Sequence, residues 1–184
     1  MKLVRQVIEV TLATFLLGLI WLLPVGWASA VGAGIGRLVG RIVGRILGED
    51  RVAQNNLKLA FNEASDHPKS EAEREAILQA VWDNVGRNFG EIPHLGNLMR
   101  NADTRIEIIG GEAALAVQAA GNPIILVSGH FSNWHIVQIA ANKVFGETAS
   151  IYRRTNNPFV ARLLDIFYAD IAQHIMEKGR ESVV

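Results

Sequence analysis

Two histidines carry the chemistry that this sequence suggests. They lie in Ser128-Gly129-His130-Phe131-Ser132-Asn133-Trp134-His135, directly after the apolar run Pro123-Ile124-Ile125-Leu126-Val127. A histidine placed by a glycine turn at the carboxyl end of a buried strand sits where an open α/β sheet binds its ligand. It can act as a general base, taking a hydroxyl proton as that oxygen attacks a carbonyl. Such a base usually has a carboxylate on its other ring nitrogen, which fixes the tautomer and stabilises the imidazolium. A carboxylate five residues on, in the first turn of the next helix, could serve, but His135 stands there instead. A neutral histidine can accept one hydrogen bond and brings no negative charge, and two protonated rings repel. Neutralising the orienting carboxylate of a serine-protease triad costs about 10⁴-fold in rate, and a loss of that order is expected here. A metal pair of His130 and His135 is disfavoured, because spacing of five is not the i, i+4 geometry of helical zinc sites and no third ligand is evident.

The elements that must hold these residues come from a chain of 184 residues, enough for one domain with a core and an appended segment. Lys plus Arg balances Asp plus Glu at 18 each, so charge gives no argument for a nucleic-acid partner. The absence of cysteine excludes a disulfide framework, thiol catalysis and cysteine-bound metal. The apolar fraction is 49%, and the excess lies at the amino-terminal end.

No charged residue occurs from Val10 to Gly36. About 20 apolar residues suffice to cross a bilayer, so a membrane helix is expected, either spanning or broken at Pro24 and lying in the interface. A cleaved signal peptide, with Ala28-Ser29-Ala30 as its small-residue site, and a buried core helix are the competitors. Trp21 and Trp27 suit the headgroup level. Gly36-Arg37-Leu38-Val39-Gly40-Arg41-Ile42-Val43-Gly44-Arg45-Ile46-Leu47-Gly48 follows with a period of four. On a helix this aligns the arginines on one stripe and the glycines on the next. The arginines then face anionic headgroups, or the glycines admit a neighbouring helix while the arginines are solvated.

Further along, a short amphipathic helix is expected over Val52 to Phe61. A second starts at Ser70, where Ser70-Glu71-Ala72-Glu73 fits a capping box. It presents Ile77, Val81, Val85, Trp82 and Phe89 as its apolar face and ends at Pro93. Strands are predicted at Thr104 to Ile109, Pro123 to Val127 and Ala149 to Tyr152, with a short fourth near Ile171 to Met176. Helices are predicted at Gly111 to Ala120, Asn133 to Phe145 and Pro158 to Tyr168. Alternating strands and helices indicate an α/β fold with a parallel sheet and covering helices. The expected organisation is a membrane-inserted or interfacial segment (1–48), a helical segment (49–100) and an α/β portion (101–184). With so few strands, the sheet reads as cut at the carboxyl end. His94 and His174 read as surface residues.

The segment Gly129-His130-Phe131-Ser132-Asn133-Trp134-His135 resembles the histidine–four residues–acid motif of the lysophospholipid acyltransferase superfamily. It is most similar to the lipid A biosynthesis (lauroyl/myristoyl) acyltransferases of Gram-negative bacteria, which often carry His-Phe-Gly-Asn-Trp-Glu there. Arg51 to Phe61, Trp82-Asp83-Asn84-Val85-Gly86-Arg87 with Glu91, Tyr152-Arg153 with Asn157-Pro158, and Lys178-Gly179-Arg180-Glu181 resemble further blocks of that family in the same order, so the likeness covers nearly the whole chain. It implies an acyl carrier protein thioester as donor, a phosphorylated glucosamine lipid as acceptor, membrane lipids around the chain, and no metal or organic cofactor. It implies the bacterial inner membrane, with the site facing the cytoplasm. His130 is then the base, and His135 occupies the position of its acidic partner. Arg153 and Asn157 belong to the acceptor site, the arginine contacting a phosphate. A glycerophospholipid acyltransferase, or an inactive membrane-bound remnant, is the alternative.

Overall fold

A computed structural model describes residues 2–44, 46, 48–172 and 174–177. Its contacts group the chain into two compact units. One runs from Leu23 to Glu91, and the other joins the segment through Leu22 to the chain from Ile92 onward. The linear division at 48 and 100 expected from composition does not follow these boundaries.

The Leu23–Glu91 unit is helical. The uncharged stretch is interrupted at Pro24, whose ψ of 144° is non-helical, and α2 then runs Val25–Val39. It continues as one π-turn over Gly40–Gly44. Helix α3 spans Glu49–Ala60 and α4 spans Glu71–Glu91. The capping box forms as predicted: the Ser70 backbone N–H donates to Glu73 at 2.8 Å, and the Glu73 N–H donates to Ser70 Oγ at 3.3 Å. These bonds satisfy donors at the helix start that have no partner in the helix itself, and the Ser70 hydroxyl, donating to Glu73 at 2.7 Å, together with the Ser70 N–H holds the Glu73 carboxyl below its ordinary pKa.

Helices α2 and α4 meet along a seam of small residues. Ala28, Gly32 and Gly36 of α2 face Gly86 and Gly90 of α4. A Cβ at Gly32 would fall on the Gly86 carbonyl, and one at Gly86 on the Gly32 carbonyl. Of the two readings of the period-four repeat, close helix approach holds at Gly36, where a Cβ would meet the Trp82 carbonyl and the Gly86 backbone. Of the stripe of arginines, Arg37 is ion-paired with Asp83, which also accepts from Arg87 Nε at 2.6 Å, Arg41 is exposed, and Arg45 lies outside the described residues. Trp82 lies over Gly40 and donates from Nε1 to Asp50 at 2.9 Å, tying α3 to α4. The apolar face predicted for α4 is corrected. Val81 and Phe89 are exposed and Ile77, Trp82 and Val85 are half-buried, whereas Leu78, Gly86, Asn88 and Gly90 are buried. Closeness of backbones selects the glycine face over the bulkier one.

The other unit begins with α1, Lys2–Trp21. Only Gln6, Val10, Ala13, Leu17 and Ile20 are partly covered, one stripe at helical spacing, and its remaining residues are exposed. The stripe is held near both ends. Asn157 Nδ2 donates to the Gln6 carbonyl at 2.9 Å, and His94 Nε2 lies 3.4 Å from the Ile20 carbonyl. His94 is thus buried rather than on the surface, in the 3₁₀ turn Ile92–His94 that closes α4.

After that turn come α5 (Leu95–Arg100), α6 (Ala102–Arg105), α7 (Gly111–Ala119), α8 (His135–Phe145), β1 (Ala149–Tyr152), α9 (Pro158–Tyr168) and β2 (His174–Glu177). Leu95, Leu98, Ile139, Ala161 and Ile171 are the apolar core of this unit. The α/β class holds: β1 and β2 pair in parallel, Ala149 opposite His174 and Tyr152 opposite Glu177, with α9 as the crossover between them. Two predicted strands are corrected. Thr104 and Arg105 belong to α6, and Ile106–Ile109 is unpaired among the described residues. The 123–127 run is extended but outside any ladder, with Ile125 88% and Val127 90% exposed. Strand propensity reports a fit to a pleated, half-buried surface, and no described strand offers one to this run. His174 is exposed as expected, 3.8 Å from Glu147.

Candidate active site

His130 ends the extended segment before α8 and is exposed. The chain then turns through Ser132, whose φ of +49° lies in the left-handed region. L-residues pay roughly 1–2 kcal/mol there, which accounts for the glycine that the resembling motif often has at this place. Asn133 makes the next turn. Its Oδ1 accepts the His135 backbone N–H at 3.0 Å, a local side-chain bond that opens α8. The same oxygen is 3.0 Å from His135 Nδ1. Asn133 and His135 are both 8% exposed.

The aromatic rings form a line. His130 meets Trp134 edge to face, with centroids 4.7 Å apart. Trp134 lies 5.3 Å from His135, His135 lies 5.1 Å from Tyr168 of α9, and Tyr168 lies 5.9 Å from Tyr152 of β1. No hydrogen bond joins the imidazoles of His130 and His135 among the described residues; each instead touches Trp134. Burial pushes the His135 pKa down to about 4, since a charged ring there would lose its water. Burial, then Tyr152 and Asp165, push the Tyr168 hydroxyl up. Burial and Asp165 raise Tyr152 against the opposing Arg154. Position 135 thus carries no charge near neutral pH.

Arg153 follows β1, exposed and outside any ion pair among the described residues, while Arg154 pairs with Asp165 at 3.5 Å. Asn157 is 7% exposed and caps α9, its Oδ1 accepting the N–H groups of Phe159 at 3.0 Å and Val160 at 3.4 Å. Its Nδ2 donates to Gln6 O and Glu9 Oε2, both at 2.9 Å. Its amide is therefore fully engaged in joining β1, α9 and α1. Lys178-Gly179-Arg180-Glu181 lies outside the described residues. No three His, Cys, Asp or Glu side chains converge as a metal-holding group among the described residues.

Sequence reasoning gave neither Asn133 nor Tyr168 a place in the site. An asparagine two residues before a helix is a recognisable capping signal. A tyrosine in the last turn of a helix has no such signature, and only the fold places it on His135. Helix α1 is long and apolar enough to cross a membrane by length and composition, and so little of it is buried that it is no core helix.

No curated protein and no solved structure matches the chain. A family model described as bacterial lipid A biosynthesis acyltransferase matches residues 2–176, spanning both units and every block named above except the last. The chain belongs to the bacterial lipid A biosynthesis acyltransferase family and is by that membership an acyltransferase of a membrane-associated kind.

Proposed function

We propose that the chain moves a fatty acyl group from an acyl carrier protein thioester to a hydroxyl on an acyl chain of a phosphorylated glucosamine lipid, with His130 as general base. The observation that supports this is the exposed imidazole of His130 just before α8, in the segment that resembles the family's histidine motif. The acceptor hydroxyl gives its proton to the imidazole as its oxygen attacks the thioester carbonyl. The tetrahedral intermediate collapses with cleavage of the carbon–sulfur bond, and the leaving thiolate takes the proton back. Arg153, exposed beside β1, binds an acceptor phosphate, a task suited to a guanidinium fork. Asn157 serves that site by fixing the turn between Arg153 and α9.

The reaction belongs at the cytoplasmic face of the inner membrane. We read α1 as lying in the membrane interface. Its covered stripe is attached to its own unit at Gln6 and again at Ile20, fourteen residues or about 21 Å apart, so that unit accompanies the helix over most of its length.

A purified chain in detergent micelles, offered the thioester with either a phosphorylated glucosamine lipid or a glycerol phosphate, tests the reading. Transfer to the first, abolished in His130→Ala, is expected. Transfer only to the glycerol phosphate would identify a glycerophospholipid acyltransferase instead. A second reading, a membrane-bound chain without turnover, is favoured by the uncharged ring at 135 and the lack of a hydrogen bond between the two histidines. It gains if neither acceptor is acylated and His135→Glu restores nothing.

A further inference from the structure

We propose that Asn133 is a positioning residue that sets the tautomer of His135, so that position 135 presents Nε2 as an uncharged hydrogen-bond acceptor rather than a second proton donor. The argument turns on one oxygen. The atom of Asn133 that faces the backbone of His135 at 3.0 Å meets an N–H, which can only donate, so that atom is the carbonyl oxygen. The same oxygen is 3.0 Å from Nδ1 of the ring. An oxygen that only accepts requires Nδ1 to carry a hydrogen. In a neutral imidazole the other nitrogen is then bare.

The surroundings keep this arrangement. Tyr168 of α9 lies against one side of the ring and Trp134 against another, and the residue is 8% exposed. The titratable groups that approach from the neighbouring elements are Tyr168, Tyr152 behind it on β1, and Asp165, which is paired with Arg154. None of them is a cause of the depressed pKa of His135, which comes from burial alone. Nε2 has no hydrogen-bond partner among the described residues and remains available to an N–H or O–H donor. At the position where the resembling family has a carboxylate, this chain therefore offers an acceptor of the same sense but without its charge. The consequence for turnover rests on the acyl-transfer reading; the tautomer does not.

The test is long-range ¹H–¹⁵N correlation on the full chain in micelles, without substrate, with His135 assigned by the loss of its signals in His135→Phe. The native chain is expected to show the Nδ1–H form unchanged from pH 8 to pH 5. Asn133→Ala should lose that form, giving Nε2–H or a mixture. Asn133→Asp keeps the acceptor and the turn but adds a charge, and should retain Nδ1–H while moving the His135 titration up by about one unit or more. An Nε2–H form in the native chain overturns the proposal. So does an Asn133→Ala chain that keeps Nδ1–H or, should that variant not fold, an Asn133→Asp chain whose His135 titrates as before. Because no acyl donor or acceptor is present, failure here is distinct from failure of the acyl-transfer reading.

Discussion

Adding one methyl group at two glycines of the same helix should move stability in opposite directions. At Gly36, an alanine Cβ would fall on the Trp82 carbonyl oxygen and lie 2.8 Å from Gly86 Cα and 2.9 Å from Gly86 N. All three atoms are backbone, and no rotamer change relieves them, so α2 and α4 must separate. Overpacking of this kind costs about 1–3 kcal/mol, and a rigid backbone neighbour places it at the upper end. The gain in helix propensity from glycine to alanine, about 1 kcal/mol, offsets part of this. Gly36→Ala is therefore expected to destabilise by about 2 kcal/mol. At Gly34, two residues away, an added Cβ meets nothing within 4 Å. Gly34→Ala keeps only the propensity gain and is expected to stabilise by up to about 1 kcal/mol. For a unit of this size, that difference separates the two midpoints by more than about 10 °C. Thermal unfolding of both variants in micelles, followed by circular dichroism, measures it. Equal midpoints, or a Gly36→Ala chain more stable than the native one, would refute the seam.

The remaining predictions concern the site and the membrane. His135 is neutral when folded, with a pKa of about 4 against the ordinary 6.5, so the unfolded chain binds the extra proton first as pH falls. Stability is complete above about 6.5 and should drop by roughly 2 kcal/mol between pH 7 and pH 4.5, a drop that guanidinium unfolding should find missing in His135→Phe. His135→Glu should raise kcat, by up to about 10⁴-fold with little change in KM, in the thioester assay. The increase should be greatest at higher pH, because the burial that depresses the histidine raises a carboxyl group. Asn157→Ala removes a helix cap and two bonds to α1, and should cost about 2 kcal/mol in the same unfolding measurement. The chain has no cysteine, so single cysteines at Leu3 and Leu22 can be labelled with an impermeant maleimide on intact cells and on inverted vesicles. Labelling of both positions from the same side is expected; opposite sides would show that α1 spans.

Local chemistry was legible in the sequence wherever the determining interaction is itself local. The capping box at Ser70, the proline at the start of α9 and the bounds of β1 and α9 follow from residues within one turn of each other. The ordered motif blocks carried the family. Tertiary structure decided whatever depends on which neighbour is present. Periodicity marks a helix without choosing the face it buries, and on α4 the glycines prevailed over Val81 and Phe89 because two backbones come into contact there. The 123–127 run has strand composition, but a ladder needs a partner that propensity cannot supply. His94 is buried because α1 passes over it. The sequence places a histidine where the motif it resembles has an acid. Burial, together with a single asparagine oxygen, determines that this histidine is neutral and which of its nitrogens is bare.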